Sequence, residues 1–551
     1  MGTGSADLAY RKLRAPQEDG AVLIDPPLEQ VGAILKANRN DRRGQEYDLQ
    51  GRSLWEVSRE ARRELLEKAR QWTSQYRDVD LAPAGPFTPI LLAGHQPQLF
   101  HPGVWLKNFA LGALAREHGG VGVNLLIDSD TLKTPGVRVP GGSVARPHVA
   151  EIAMDRAGAV APYEERAILD RRLFRDFGRR ATDEIASLVP DPVVRDYWPM
   201  VVERMDQTDS LGACLAQSRH QLEGRWGLNT LEIPQSWVCG MRSHGWFVAH
   251  LLAQLPRLRQ VYNEVVEEYR RVHRIRSRAH PVPNLAQEGP WLEAPFWIWT
   301  AEAPRRRRLF ASHRRREIVL SDRQGLKIAL PLRADGDARA AVDRLAELGR
   351  EGIRIRCRAL ATTLWARLAL GDLFLHGIGG AKYDQVTDGL IRRFFGLDPP
   401  GFLVLSATLH LPVDHRPTTV DQLRAIEHGL RELTYHPECY INGTGEVGGP
   451  GGEEVAQLVG AKARWIRTGS TAENARNRYR EIRRINEALQ PCVARLRERL
   501  AGERRETARA LTAEAILSAR EYAFCLFPES AFQEFLFPLL PRSGQIGSDK
   551  A

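Results

Sequence analysis

The chain has 551 residues, of which 43% are hydrophobic and 26% are charged, and its formal net charge is +10. This length is too great for one compact core and predicts about three structural units. No apolar run is long enough to span a bilayer, and residues 1–20 lack the apolar block of a signal peptide. The sequence therefore argues against integral membrane and secreted proteins, and we expect a cytoplasmic protein.

The positive charge comes almost wholly from arginine. A basic protein can bind nucleic acid, a membrane surface or a phosphorylated ligand, but a GC-rich genome that prefers Arg codons gives the same balance, and we favour this explanation. The six cysteines are widely spaced, so we expect reduced thiols and neither a disulfide framework nor a structural zinc site. They are Cys214, Cys239, Cys357, Cys439, Cys492 and Cys525.

The first predicted element is an amphipathic helix within residues 1–85, a segment that we take as an N-terminal helical extension. Between Arg52 and Asp78, apolar residues recur on one helix face among many charges. They are Leu54, Val57, Ala61, Leu65 and Ala69. A Pro-rich stretch up to Thr88 then leads into the α/β core, which we place at residues 86–435.

The stretch 89–130 predicts a strand, a loop, a helix and a second strand. An apolar run ends at Gly94, a polar loop follows, Pro102 opens a segment with apolar residues at helical spacing, and a second apolar run stops at Asp128. Two such strands are parallel when a helix connects them. The loop and the acids then lie at the same carboxyl edge of the sheet, where open α/β folds bind ligands.

Residues from about 155 to 340 are predicted to be mainly helical and connecting segments inserted into the core. A strand is expected at 144–154, and helices are expected over 163–222, with breaks at two prolines, and over 246–274. Residues 280–300 are rich in Pro and Trp. Clustered aromatic residues can line a ligand pocket, but we favour a packing role here.

Two arginine clusters follow, at residues 305–308 and 314–316. Clustered guanidinium groups can hold a phosphate or a carboxylate by bidentate contacts. Arginines on a hairpin edge also remain solvated and prevent aggregation, and we favour this explanation over a binding site.

A second strand-to-helix unit is predicted at 371–396. A short apolar strand leads to His376, a Gly-rich turn follows, and the next helix ends at Gly396 before two prolines. Backbone N–H groups at such a helix N-terminus can approach an anion, although the pattern differs from the dinucleotide-binding fingerprint. Asp384 and Asp388 would complement the helix dipole or bind a cationic or hydroxyl-bearing substrate.

The C-terminal part is predicted to begin with a core strand at 402–411 and to continue, after a Gly-rich linker, into a helical arm at 453–523. A narrow apolar stripe from Leu489 to Leu511 suits an antiparallel coiled coil or a dimer seam, so we expect a homodimer. The apolar segment 524–545 is expected to dock on the core.

Four motifs occur in a fixed order over residues 89–540: GHQPQLFHPG, the strand that ends at Asp130, GDLFLHGIGGAKYD, and LFPESAFQE. They resemble motifs of the bacillithiol-biosynthesis cysteine-adding enzymes, the BshC family, whose first loop reads Gly-Gln-Gln-x-Gly-Leu-Phe-x-Gly-Pro. The resemblance implies a Rossmann-like core with inserted connecting segments and a C-terminal helical arm that mediates dimerisation. It also implies a ligase-like reaction that joins cysteine to an amine-bearing acceptor.

The departures from that family predict a divergent relative with an altered substrate. His95 replaces its first Gln, Gln98 replaces a Gly, and Lys107 lies before the usual Lys. The acidic cluster keeps Asp128 and Asp130 without its His. The loop-forming positions that the resemblance carries over are Gly94, Gln96, Leu99, Phe100, Gly379 and Gly380.

We expect an enzyme of ligase or transferase type that joins an amino acid or a similar small molecule to an amine- or hydroxyl-bearing acceptor. His95 and His101 would transfer protons or contact a phosphate, because imidazole titrates near neutrality, and Lys107 would neutralise an anionic substrate. Asp128 and Asp130 would bind a hydroxyl, an amine or Mg²⁺. The candidate site comprises His95, His101, Asp128 and Asp130 as catalytic residues and Gly94, Gln96, Gln98, Lys107, Gly379, Gly380, Tyr383 and Asp384 as substrate-binding residues, with no dedicated metal ligands.

Two alternatives stay open. LFHPGVWLKN is similar to the His-x-Gly-His loop of nucleotidylyltransferases and class I tRNA synthetases, with Val104 at the second His. An ATP-dependent adenylate-forming enzyme is therefore the first alternative, with ATP or ADP and Mg²⁺ as candidate cofactors. A basic scaffold that associates with nucleic acid is the second, and a steep dependence of binding on salt would reveal it.

Overall fold

The computed structural model describes residues 8, 10–43, 46–80, 85, 87–132, 134–441 and 451–539. The chain divides into two compact units. The first consists of Met1–Val139, Ala150–Pro412 and Arg520–Ala551, and the second of Pro140–Val149 and Val413–Ala519. Among the described residues, none of the helices is both long and apolar enough to cross a membrane.

Within the described residues, fourteen strands form three sheets. They are β1 (Val22–Asp25), β2 (Ile90–His95), β3 (Val121–Leu126), β4 (Gly136–Ser143), β5 (Arg146–Ala153), β6 (Leu231–Pro234), β7 (Gln287–Glu288), β8 (Trp291–Thr300), β9 (Ala303–His313), β10 (Ile318–Ser321), β11 (Lys327–Leu330), β12 (Ile353–Cys357), β13 (Leu373–His376) and β14 (Leu403–Ala407).

The α-helices are α1 (Val31–Arg43), α2 (Leu54–Thr73), α3 (Pro102–Glu117), α4 (Arg171–Ile185), α5 (Val194–Met205), α6 (Leu211–Arg225), α7 (Gln235–Cys239), α8 (Arg242–Ala253), α9 (Leu255–Val272), α10 (Arg339–Arg350), α11 (Ala359–Trp365), α12 (Ile378–Leu390), α13 (Val420–Tyr435), α14 (Gly452–Arg467), α15 (Ala475–Leu489), α16 (Ala494–Leu517) and α17 (Ser530–Phe535). Two π-helical turns, Ala366–Leu370 and Ile391–Phe395, extend α11 and α12.

The first unit is built on a six-stranded sheet with the order β1-β14-β13-β2-β3-β6. β14, β13, β2, β3 and β6 are parallel, and β1 is antiparallel to β14 at one edge. The prediction of an α/β protein with a parallel sheet is therefore confirmed. β2, α3 and β3 are the strand, helix and strand that the sequence predicts for 89–130, and β13 and α12 are those predicted for 371–396.

Both faces of the parallel strands are buried by helices, which is why their sequences are almost continuously apolar. Side chains alternate between the faces of a strand. Ile90 and Leu92 pack in the hydrophobic cluster that includes α2 and α8. Leu91 and Ala93 pack against Leu111 and other residues of α3.

Gly103 allows α3 to begin directly against the end of β14. A Cβ atom at this position would lie 2.1 Å from the carbonyl oxygen of Ala407, so any side chain would collide with backbone. Pro102 occupies the first turn of α3, where its missing N–H has no helical partner to lose. The Pro-Gly pair therefore fixes where the loop after β2 ends.

Within and just after the region predicted to be mainly helical lies a six-stranded antiparallel sheet, β11-β10-β9-β8-β12 with β7 paired to β8. The sequence predicts helices and connecting segments here and not this sheet. The pattern is hidden because β8 contains Pro295 and its register with β9 shifts between Glu293 and Trp297, which interrupts a regular alternation. The arginine cluster 305–308 lies within β9.

The C-terminal segment after residue 519 packs in the first unit. Phe524 is buried with its ring 4.2 Å from the ring of Trp105 on α3, and Phe532 on α17 also contacts Trp105. The part of the predicted docking segment that covers 540–545 lies outside the described residues.

The second unit consists largely of α13, α14, α15 and α16. α13 packs on α16, with Gly429 beside Leu500, and α14 packs on α15. The sequence predicts one break in this region, at Pro491. The structure has a second break between Arg467 and Ala475, and Leu489 at the end of α15 is buried.

Candidate functional site

The carboxyl edge of the parallel sheet brings together the segments that follow its strands. β2 and β3 run in register up to the pair His95 and Leu126, and the N–H of Ile127 donates to the carbonyl of His95 at 2.9 Å. β13 lies on the other side of β2, and β6 lies on the other side of β3. Ligands of open α/β sheets bind at this edge.

Asp130 is the centre of a first group of polar side chains at this edge. The amide of Gln96 donates to its Oδ2 at 3.1 Å, and Nη1 of Arg306 lies 2.9 Å from its Oδ1. Burial raises the pKa of Tyr383, and the charges of Asp384 and Asp130 raise it further. The structure therefore brings together two predicted residues, Gln96 and Asp130, and the charge of Asp130 also acts on Tyr383. The side chains of Arg306 and Asp130 are 21% and 35% exposed, so a ligand can reach them.

Asp128 forms a second group on the β6 side of the edge. The N–H and the hydroxyl of Ser236, at the start of α7, donate to its two carboxylate oxygens. Burial raises the pKa of Asp128 to about 7, and the negative charge of Glu164 contributes to the rise, while Arg356 opposes it. Arg356 and Glu164 form an ion pair at 2.7 Å. Burial thus favours the protonated form of Asp128 over the ionised form.

A cavity of about 420 Å³ opens beside the Asp128 group. Ser236 and Arg356 line it, together with residues of α8, α10 and β12. The Ser236 hydroxyl donates to Asp128, so one residue both bonds to the carboxyl group and borders the cavity.

His95 faces α3, on the same side of β2 as Ala93. Its Nε2 lies 3.2 Å from Oδ1 of Asn108 on α3. Burial, with the charges of two nearby cations, lowers the pKa of His95 well below its usual value. A buried imidazole that is neutral at pH 7 disfavours the predicted role in proton transfer and favours a role in positioning α3.

A buried charged cluster lies beside His95, between α3, α6 and β6. We define it by Trp105, Asn108, Arg219, Glu223 and Glu232, all of which are buried. Oε1 of Glu223 accepts from Trp105, from Asn108 at 2.8 Å and from Arg219 at 2.7 Å. Arg219 also donates to Glu232. Burial raises the pKa of Glu232 to about 7, although the charge of Arg219 opposes this.

Three further predicted residues, Gln98 and His101 in the loop after β2 and Lys107 on α3, lie in different surroundings. Lys107 is buried, its Nζ donates to the carbonyl of Gly94 at 2.9 Å, and burial lowers its pKa to about 8. His101 precedes α3, and burial, followed by the charges of Arg520 and Lys107, lowers its pKa to about 4. His101 is therefore neutral at pH 7. The side chain of Gln98, by contrast, is exposed.

Asp384 lies in a buried ion-pair network between β13 and α12. Nη1 of Arg367 and Nε2 of His376 lie 2.6 Å and 2.9 Å from its Oδ2. Burial opposes ionisation, but the charges of Arg367 and His376 lower the pKa of Asp384. This carboxylate therefore holds α12 in place and does not reach a substrate. Gly379 is exposed in the first turn of α12, and Gly380 packs against the ring of His376.

Sequence reasoning missed Ser236, Glu164 and Arg356. The four residues before α7, LEIP, form the buried strand β6, and the alternation of Leu231 and Ile233 before a proline was a usable signal for a strand end near Ser236. Glu164 and Arg356 are 192 positions apart. No local sequence pattern predicts such a pair, because the pair forms only when two distant segments fold together.

Two groups of side chains in the described part of the chain lie close enough to share a metal ion, with ligand atoms within 4.8 Å of one another. The groups are Cys239, His244 and Cys357, and His220, Glu223 and Glu232. In the second group the ring nitrogens of His220 already contact Tyr76 and Thr230 at 2.8 Å and 3.1 Å. Arg219 also neutralises both glutamates, so an internal ion cluster explains this second group.

Comparison with models of known protein families finds none that matches the chain, and comparison with curated proteins gives no significant match.

Proposed function

We propose that the chain is an enzyme of ligase or transferase type. It joins an amino acid or a similar small molecule to an amine- or hydroxyl-bearing acceptor at the carboxyl edge of the parallel sheet. The observation that carries the proposal is Asp128, a carboxyl group with a pKa of about 7 whose hydrogen bond to Ser236 leads to a cavity. A general base is most effective when its pKa lies near the working pH. The resemblance to the cysteine-adding enzymes supports the same class of reaction.

In the proposed reaction, ionised Asp128 accepts a proton as the acceptor attacks. The acceptor's N–H or O–H gives its proton to Oγ of Ser236 while the Ser236 hydroxyl proton moves to Asp128. As it loses this proton, the nitrogen or oxygen forms the new bond to the carboxyl carbon of the amino acid. The bond from that carbon to one carboxyl oxygen breaks, and this oxygen leaves as water after it takes the proton back from Asp128 and a second proton from solvent. Positioned proton transfer of this kind typically accelerates a reaction by roughly 10²–10⁴-fold.

The Asp130 group would hold the amino-acid substrate. Asp130 offers oxygens to a protonated amine, and Arg306 offers N–H groups to a carboxylate. Gln96 and the hydroxyl of Tyr383 add donors and acceptors beside them. An amino acid carries both an amine and a carboxylate, so this set of side chains is complementary to it.

An ATP-dependent reaction through an adenylate is a second candidate mechanism, and the start of α12 favours it. Among the described residues, no atom lies within 4 Å of the Cβ positions of Gly377 and Gly379. A helix N-terminus with such open approach suits a phosphate group. ATP or ADP with Mg²⁺ would then activate the carboxylate. Release of pyrophosphate during incubation with a library of amino and carboxylic acids would support this mechanism, and product formation without nucleotide would contradict it.

The scaffold alternative predicts binding to nucleic acid through arginine clusters. Within the 305–308 cluster, Arg306 pairs with Asp130, Arg307 lies 3.6 Å from Asp322, and Arg308 lies 3.0 Å from Glu293, so intrachain carboxylates already engage three of its arginines. Binding driven by phosphates should weaken steeply as salt rises. A filter-binding titration with RNA and DNA that shows no salt-sensitive retention would remove this alternative.

The main proposal is tested by product formation. The protein is incubated with amino acids and with amine- and hydroxyl-bearing acceptors, with and without ATP, and new amide or ester products are detected by mass spectrometry. Asp128→Asn should lower the rate of product formation by about 10²–10⁴-fold, whereas Asp343→Asn, which changes an exposed carboxylate paired with Arg242, should leave it unchanged. Equal product from both variants would contradict the proposal.

We also propose that the parallel sheet and its helices form a Rossmann-like core and that the 453–523 arm mediates dimerisation. Ile466 on α14 and Tyr479 on α15 support the dimer, because they expose 49% and 66% of their surface. Light scattering should report twice the chain mass of 61.9 kDa. The double variant Ile466→Glu, Tyr479→Glu should halve it, whereas Val420→Glu at the equally exposed start of α13 should not. A monomeric unmodified chain would contradict the dimer.

A further inference from the structure

Three side chains with soft or nitrogen donors converge outside the Asp128 group. Cys239 ends α7, His244 lies in the first turn of α8, and Cys357 ends β12. Their donor atoms lie within 4.8 Å of one another, and Nε2 of His244 is 3.1 Å from Sγ of Cys357. Three different elements therefore deliver two thiols and an imidazole to one point.

The spacing of these atoms suits a tetrahedral ion. With Zn–S bonds of about 2.3 Å and Zn–N bonds of about 2.0 Å, ligand atoms at tetrahedral angles are separated by roughly 3.5–3.8 Å. All three donor atoms lie within 4.8 Å of one another, and the separation of Nε2 of His244 from Sγ of Cys357, 3.1 Å, is close to the lower of these values. Thiolate and imidazole are also the donors that zinc prefers over magnesium or calcium.

The surroundings leave one coordination position open. Cys357 and His244 are buried, whereas Cys239 is half-buried. Cys239 and His244 line the cavity of about 420 Å³ that Ser236 and Arg356 also line. Structural zinc sites have four protein ligands, whereas catalytic sites have three and keep the fourth position for water or substrate. The described residues supply three ligands and a cavity at the fourth position.

We infer that Cys239, His244 and Cys357 bind one zinc ion whose fourth ligand comes from the cavity. That ligand is water in the resting protein, and it is exchangeable for an anionic sulfur or oxygen atom of a small molecule. On binding, the two thiols lose their protons to solvent and coordinate as thiolates, and His244 coordinates through Nε2. This inference is independent of the proposed function, because it concerns the ion and not the reaction.

A disulfide between Cys239 and Cys357 is the competing explanation for two neighbouring thiols. It requires an oxidant, and it leaves His244 without a role. A zinc site uses all three side chains and needs no change of redox state. The two explanations are separable, because the disulfide lowers the number of titratable thiols in unfolded, metal-free protein and the zinc site does not.

The first test measures metal content and coordination in the full chain. Protein prepared under reducing, chelator-free conditions with added zinc should contain about one zinc ion per chain, as a single four-coordinate site requires. Replacement by Co²⁺ should give visible bands of tetrahedral geometry and a near-ultraviolet thiolate charge-transfer band. A spectrum without the thiolate band, or a loss of two thiols to a disulfide in the reduced preparation, would overturn the inference.

The second test uses ligand variants and a matched control. Cys239→Ser and Cys357→Ser should each lower zinc affinity by more than the roughly 10–100-fold that follows a change outside the ligand set. The control is Cys214→Ser, which alters a buried thiol on α6 whose Sγ donates to the carbonyl of Thr208, a contact that Ser can also make. Equal loss of zinc in Cys214→Ser and Cys239→Ser, with both variants folded by circular dichroism, would overturn the inference.

Discussion

The buried charged cluster and the Asp128 group lie along neighbouring strands, and each contains a buried carboxyl group with a pKa raised to about 7, Glu232 in the first and Asp128 in the second. Their partners differ. Glu232 is bonded to the guanidinium of Arg219, whereas Asp128 is bonded to the hydroxyl of Ser236, which borders a cavity. A shifted pKa therefore does not identify a reactive group by itself, and a path to a ligand is also needed.

The largest effect on stability is expected from Arg219→Met. This change removes the cation that contacts both Glu223 and Glu232 and leaves two buried carboxyl groups with only the more distant charge of Arg77 nearby. Breaking a buried ion pair on one side typically costs about 3–5 kcal/mol of unfolding free energy. Urea denaturation at pH 7 measures this loss. Arg179→Met, at an exposed arginine of α4, should change the midpoint far less, and an equal change in both variants would show that the cluster is not structural.

A loss of activity without a loss of fold is expected from Asp128→Asn. The rate of product formation should fall by about 10²–10⁴-fold, as for removal of a general base. Because the native pKa of Asp128 is raised from 3.8 to about 7, the native state binds more protons than the unfolded state between these pH values. The contribution of Asp128 to the free energy of unfolding of the unmodified chain should therefore fall as pH rises through this window.

The Asn variant cannot ionise, so its stability should rise relative to that of the unmodified chain between pH 4 and pH 7. Thermal unfolding across this range measures the difference. A constant difference between the two proteins would mean that Asp128 does not titrate there, and the base proposed for the reaction would then be absent.

An intermediate effect on stability is expected from His95→Ala. His95 lies beside the buried charged cluster and contacts Asn108. The change leaves Oδ1 of Asn108 without its partner in a buried position, which typically costs about 1–3 kcal/mol. Urea denaturation should show this loss, and His101→Ala, at a less buried position before α3, should lose less. If His95→Ala keeps its stability but loses activity, the positioning role is contradicted and the predicted catalytic role of His95 is supported.

The sequence predicts the strand-to-helix units around residues 89–130 and 371–396 because local apolar runs and glycines specify them. It also contains the reason that His95 faces α3: side chains alternate along β2, so His95 follows Leu91 and Ala93 onto the helix face. The loop's polarity suggested a ligand site, whereas the two-residue period of the strand indicated packing. The period was the better guide to where this side chain lies.

Contacts between distant segments of the chain could not be predicted from local sequence patterns. Ser236, Glu164 and Arg356 come to Asp128 from three separate segments, and Arg306 comes to Asp130 from a strand of the antiparallel sheet. The proposed zinc ligands show the same limit. Their spacing of Cys-x-x-x-x-His with a third ligand more than a hundred positions later, at Cys357, matches no short motif. β12 pairs with β8 and packs against α7, and Cys357 at its end reaches His244 of α8.

The smallest effect on stability is expected from Arg306→Met, and it extends the comparison to the Asp130 group. The Arg306–Asp130 pair is partly exposed, and such pairs typically contribute within about 1 kcal/mol. The unfolding midpoint should therefore hardly move, while the affinity for a carboxylate-bearing substrate should fall about tenfold, equivalent to about 1.4 kcal/mol. Calorimetric titration of the amino acid used in the product assay measures the affinity. If stability instead falls as far as in Arg219→Met, Arg306 serves the fold as Arg219 does, and the Asp130 group is a second structural cluster with no part in substrate binding.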